Sequence, residues 1–249
     1  MKFKSLLLAS SLAATSIASQ AQELEISVSN LTNGTYFTPI LIAAHDSNTH
    51  AFRVGTEASE ALATQAEGGN PAPLKTLLDN ANANTSANPV AAEAAAGTID
   101  QLPEGNPGFL APGKTTSLEL STTDGNDYLS ITAMILPTND GFVGLDSWKI
   151  PTAAGTYTIN LNAYDAGTEA NNELIADGSG ALGVLGIPGC PGGQCGSGGT
   201  GVTTTEQNTN VHIHRNVLGD SDENAGTSDV NSTVHRWLNP VARVTVVVK

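Results

Sequence analysis

Residues 128–169 read YLSITAMILPTNDGFVGLDSWKIPTAAGTYTINLNAYDAGTE, and their patterning decides the fold class. Tyr128–Leu136 is a strand-like apolar run, closed by Asn139-Asp140-Gly141, which is ordinary turn chemistry. Phe142–Ile150 is apolar enough to pack. Thr156–Tyr164 then alternates Tyr157, Ile159, Leu161 and Ala163 with polar residues, the period-two signature of a half-buried strand. Outward from this stretch the same signal recurs. Leu24–Leu31 and Thr115–Thr122 alternate, and Val241–Val248 is rich in β-branched residues. Val211–Leu218 reads as a strand too. Tyr36–His45 is apolar through Ile40–Ala44, with Pro39 predicting an edge or bulge near its start. At least seven strands at turn-marked spacing predict an all-β protein, an antiparallel β-sandwich.

Helical spacing is confined to one insertion. Ala58, Leu62 and Ala66, then Leu74, Leu77 and Leu78, predict two short helices broken at Gly68-Gly69-Asn70-Pro71, the second started by Pro73. Asn80–Gly97 is Ala/Asn-rich and reads as a surface excursion with at most one helical turn.

The first residues have the features of an export signal. Lys2 and Lys4 precede the apolar run Leu6–Ile17, and Ser19-Gln20-Ala21 offers small residues for cleavage. The expectation is a signal peptide over residues 1–21 and one β-sandwich domain over residues 22–249. The apolar run is too short for a transmembrane anchor, so the mature protein is expected in the periplasm or outside the cell. The full sequence has a net charge of −14, which disfavours nucleic acid and anionic lipid, since both require cationic contacts. Divalent cations are compatible with it, as is simple acidic solvation. Cys190 and Cys195 in an exported chain predict a disulfide. A redox or metal-binding thiolate pair is the alternative, although CxxxxC is not the usual CxxC spacing.

Three carboxylates lie in turns that follow strands: Asp140, Asp165 and Glu169. Hard cations such as calcium take six to eight oxygens, with two or three carboxylates among them. The Gly167 turn lets Asp165 and Glu169 face one point, and Asp140 completes the charge. Spacing alone is equally satisfied by structural turns. Asp146 stays outside this set, because a hydrogen bond that fixes its loop explains it as well. His212 and His214, two apart on an expected strand, share a face and offer an alternative zinc or copper site if His45, His50 or His235 adds a third ligand. The glycine-rich segment Gly183–Gly201 holds no GxxxxGK[ST] sequence, and no serine sits in a GxSxG elbow.

Several of these segments resemble the spondin N-terminal domain family. Leu136-Pro137-Thr138-Asn139-Asp140, Phe142-Val143-Gly144-Leu145-Asp146-Ser147 and Tyr164-Asp165-Ala166-Gly167-Thr168-Glu169 carry the likeness. Asn239-Pro240-Val241-Ala242-Arg243-Val244-Thr245 is similar to the family's closing strand. Gly141 stands where animal members have Trp, and Glu169 where the family usually has Asp. The resemblance implies a β-sandwich that binds a calcium ion through Asp140, Asp165 and Glu169. The expected function is a non-enzymatic binding or adhesion module, with an extracellular protein or glycan as its partner. The alternative is a secreted enzyme or transition-metal protein built on His212 and His214.

Overall fold

The computed structural model describes residues 21–88, 108–202 and 208–249. The expected signal segment therefore lies outside the described residues, apart from Ala21. Among the described residues ten strands form one continuous antiparallel sheet: β1 (Glu23–Asn30), β2 (Tyr36–Phe37), β3 (Ile40–His45), β4 (Asn84–Asn88), β5 (Thr115–Ser121), β6 (Tyr128–Leu136), β7 (Gly141–Lys149), β8 (Gly155–Asp165), β9 (His212–Ile213) and β10 (Ala242–Val248). The main path runs β4-β3-β6-β7-β8-β10-β1-β5, with β2 beside β6 and β9 beside β8. The protein is all-β with one short helical insertion.

Strand β8 turns the corner between the two faces. Its residues Gly155–Leu161 pair with β10, whereas Asn162–Asp165 pair with β7. Strands that change partners in this way form the corners of folded sheets. The two ends of the path meet as well: Asn84 Oδ1, on β4, accepts from Thr123 N just after β5 (2.8 Å) and from Asn126 Nδ2 (2.8 Å). The sheet thus wraps almost into a barrel.

Alternation places the core. Leu24, Ile26 and Val28 of β1 face inward beside Val244, Val246 and Val248 of β10, in the register Leu24↔Val248 and Val28↔Val244. They join Ile131, Ala133, Leu161 and Ala163 in the main core. Strand β3 is buried along its whole length because it has a core on each side. Ile40, Ile42 and Ala44 enter the main core, while Leu41 and Ala43 pack under the helices. A continuous apolar run is what a strand covered on both faces requires.

The helices are α1 (Glu60–Gly68) and α2 (Ala72–Asn80). Ser59 caps α1 by accepting from Leu62 N (3.1 Å), and Gly69 ends it at φ 71°. Leu62, Ala66, Leu74 and Leu78 close over Leu41, Ala43, Phe52 and Phe142 as a second core. Pro39 falls between β2 and β3, where the expected interruption occurs, and Thr38 bridges the gap by accepting from Met134 N (3.0 Å).

Two expectations need correction. Asn84–Asn88, placed in a surface excursion, is strand β4, paired to Ile40–Ala44; a ladder made by main-chain groups does not demand apolar alternation. Residues 89–107 lie outside the described residues. Val211–Leu218 is not a full strand, since β9 spans only His212–Ile213. Asn216 adopts φ 76° and takes the chain off the sheet.

Candidate metal centre

The inward row of β8 explains how a carboxylate reaches the interior. Leu161, Ala163 and Asp165 occupy alternating buried positions, so the strand that fills the core ends by burying Asp165. Asp140 immediately precedes β7, and Gly141 pairs with Asp165. The backbone seals this end, with Ala166 N donating to Asp140 O (3.2 Å). Asp140 and Asp165 are both 0 % exposed and Glu169 is 5 % exposed.

Gly167 makes the turn that returns the chain to Asp140. It sits at φ 73°, and its N–H donates to Asp165 Oδ1 (2.8 Å). Thr168 N and Glu169 N then donate to Asp140 Oδ2 at 2.8 and 3.0 Å. Glu169 Oε2 accepts from Gly186 N (3.0 Å) and Asn139 Nδ2 (3.4 Å). Asp165 Oδ2 accepts from Asn171 Nδ2 (2.7 Å). Each carboxylate is therefore aimed by fixed donors on one or both oxygens. Two oxygens are left over: Asp140 Oδ1 and Glu169 Oε1 are buried with no hydrogen-bond partner.

Burial pushes the Asp140 carboxyl up to about 8, helped by the charges of Asp165 and Glu169 and opposed by the Glu169 and Thr168 N–H groups. Burial also lifts Glu169 to about 7, against the donors Gly186 and Asn139, with the nearby charge of Glu67 adding to the rise. Among the described residues no Lys or Arg forms a salt bridge with any of the three, and His212 Nε2 lies 3.8 Å from Asp165 Oδ2. Buried carboxylates with unmet oxygens and no countercharge are what a hard cation compensates. The donor set is all oxygen and fits such an ion. The three ligand atoms do not all lie within 4.8 Å of one another.

The glycines of the site leave no room for side chains. A Cβ on Gly141 would lie 2.7 Å from Thr138 Oγ1 and 3.0 Å from His214 Cδ2. The space that a larger residue would occupy is thus already filled by this chain's own packing.

The other candidate residues are placed as follows. His212 and His214 flank the acidic site, His212 beside Asp165 and His214 buried against Trp237 at 5.3 Å between rings. His214 Nδ1 accepts from Asn216 N (2.9 Å). The expected third histidine is elsewhere. His45 bonds Ser130 Oγ (2.8 Å), His50 approaches Asp146 (3.4 Å), and His235 lies against Cys190. Asp146 Oδ1 accepts from Ser147 Oγ (2.8 Å). Cys190 and Cys195 form the expected disulfide.

Sequence reasoning missed the amide shell. Asn139 donates to Asn172 Oδ1 (2.9 Å) and accepts from Glu173 N (3.1 Å), tying the Asp140 turn to the chain beyond Glu169. The cluster Asn171-Asn172-Glu173 was the available signal. Gly108–Thr115 (GFLAPGKT) has the residue spacing of a phosphate-binding loop, but the fold uses it otherwise. Leu110 exchanges backbone bonds with Phe37, Gly113 N donates to Asn30 O, and Thr115 opens strand β5 rather than a helix. A phosphate-binding loop needs free N–H groups at a helix start.

No curated protein matches the chain. The family described as Spondin_N matches residues 30–175, a span that includes β2 to β8, Asp140, Asp165 and Glu169. With more than half of its sequence matched and the resembling segments built into one β-rich fold, the chain belongs to the spondin N-terminal domain family.

Proposed function

We propose that this protein is an exported, non-enzymatic binding module whose end loops are held by a calcium ion at Asp140, Asp165 and Glu169. The observation that carries the reading is the pair of buried carboxylate oxygens, Asp140 Oδ1 and Glu169 Oε1, that lack any donor. Calcium would supply positive charge to a site whose carboxylates form no salt bridge with a described Lys or Arg. The chain contributes orientation: Gly167 N, Thr168 N, Glu169 N and Gly186 N fix the carboxylates through their other oxygens. Carboxylates engaged in this way are ionised and occupied, which suits them poorly to general acid–base work. The disulfide supports export, and among the described residues no helix is long and apolar enough to cross a membrane. An extracellular protein or glycan is the class of partner proposed.

Calorimetric titration with calcium tests the reading. Wild type should give a saturable heat that Asp165→Asn lacks while remaining folded. Equal, absent heats in both proteins would sink the calcium site. Zinc or copper that co-purifies in proportion to intact His212 and His214 would move the function to the histidine pair.

A further inference from the structure

The disulfide loop carries chemistry that a calcium-held module does not use. Cys190 and Cys195 enclose Pro191-Gly192-Gly193-Gln194, and both cysteines are half-buried. Both flanks are anchored by backbone bonds outside the ring. Ile187 N donates to Leu174 O (2.8 Å) before it, and Gly196 N to Asp229 O (2.8 Å) after it. Reduction would therefore leave the two thiols close together. Buried His235 faces them, its Nε2 3.8 Å from Cys190 Sγ. Among the described residues, Cys190, Cys195 and His235 are the one trio of metal-ligand type whose atoms all lie within 4.8 Å of one another.

The tautomer of His235 decides what this trio can do. Its Nδ1 accepts the backbone N–H of Asn231 (3.1 Å), so Nδ1 carries no proton. Burial lowers its pKa from the ordinary value, against a backbone hydrogen bond at Asn231 that raises it, and so favours the neutral ring. A neutral imidazole has one N–H, and here it must be on Nε2, directed at Cys190 Sγ. A metal at Nε2 would need the opposite tautomer and would set two donors, Nδ1–H and Asn231 N–H, against each other. An N–H aimed at sulfur instead stabilises a thiolate. Thiolates are better leaving groups as their pKa falls.

We infer that Cys190–Cys195 is a thiol–disulfide exchange site, in which external thiols attack Cys195 and Cys190 departs as the thiolate held by His235. An external dithiol, as one thiolate, attacks Cys195 Sγ. A new S–S bond forms there, the Cys190–Cys195 bond breaks, and its electron pair leaves on Cys190. The second thiol of the dithiol then attacks its own first sulfur and expels Cys195. The dithiol ends oxidised to a disulfide and the protein gains two electrons; the two protons shed by the dithiol pass to solvent, which returns one to Cys195 and, below its midpoint, one to Cys190. His235 directs the polarity of the step without exchanging a proton.

The test uses the folded chain reduced with dithiothreitol and alkylated with iodoacetamide across a pH series, each cysteine being quantified by peptide mass spectrometry. Cys190 should react several-fold faster than Cys195 near neutrality, with a midpoint below the ordinary thiol value of about 8.5. His235→Leu should return that midpoint to about 8.5 and slow reduction of the disulfide by dithiothreitol several-fold, whereas His235→Gln, which retains a donor, should fall between. Should His235→Leu not fold, Cys195→Ser leaves Cys190 and His235 intact, and thiolate absorbance then reads the Cys190 titration directly. A Cys190 midpoint at or above about 8.5, equal reactivity of the two thiols, or an unchanged profile in His235→Leu would each overturn the inference.

Discussion

Asp140 is held through Oδ2 by two backbone N–H groups and left without a donor at Oδ1. This asymmetry is a property of the Gly167 turn. Alanine at position 167 would meet two costs: a left-handed backbone (φ 73°) that costs a side-chain-bearing residue about 1–2 kcal/mol, and a Cβ 2.6 Å from the Thr209 carbonyl carbon. Gly167→Ala should lose at least about 1–2 kcal/mol in denaturant unfolding and weaken calcium binding as well. A variant with wild-type stability and calcium heat would show that the turn does not set the site. Asp165 was legible at this scale, because the period of Thr156–Tyr164 continues to it. Glu169 was legible as the residue that the Gly167 turn carries toward Asp165, but its hold by Gly186, which lies in a different loop, was not.

At the scale of elements, the helical insertion is part of the fold's support and not an appendage. Leu78 is fully buried beneath α2 while its neighbour Leu77 is 42 % exposed. Leu78→Ala should therefore cost about 2–5 kcal/mol, as large-to-small changes in cores do. Leu77→Ala should stay within about 0.5 kcal/mol of wild type. Equal effects in thermal or denaturant unfolding would mean that the second core is not formed. The apolar spacing of α1 and α2 made both helices readable in advance. The fate of Asn84–Asn88 was not readable, because its place in the sheet comes from main-chain bonds to β3 that leave no trace in side-chain pattern.

At the scale of the whole molecule, buried acids couple stability to pH. Asp140 and Glu169 titrate near 8 and 7 when folded without an ion, above their ordinary values of 3.8 and 4.5. Between those limits the unfolded chain has released protons that the folded chain still holds. By linkage, this contribution to calcium-free stability is present below about pH 4 and is lost as pH rises toward 8. On the proposed reading, calcium binds the ionised carboxylates and removes that loss. The rise in melting temperature on adding calcium to chelator-treated protein should thus be small at about pH 5 and larger at about pH 8. A rise that is equal at both, or greater in acid, would contradict a carboxylate site. His45 works in the other sense. Its pKa is lowered chiefly by burial, so its contribution is full above about pH 6.5 and lost as pH falls through its depressed folded value. Comparing melting temperatures with and without calcium at each pH cancels that common term.

The sequence by itself determined the alternating strands such as β1, β5, β8 and β10, the turns that bound them, and the row of inward residues that ends at Asp165. Each of these depends on the alternation of neighbouring side chains, a local property that survives in one dimension. Only the tertiary structure decided that β8 changes partners midway, that Asn139, Gly186 and the Thr168–Glu169 amides converge on the carboxylates, and that His235 faces Cys190 with its N–H. Those contacts join residues far apart in the chain, and the backbone paths of the loops set them. Periodicity carries no information about where such paths meet.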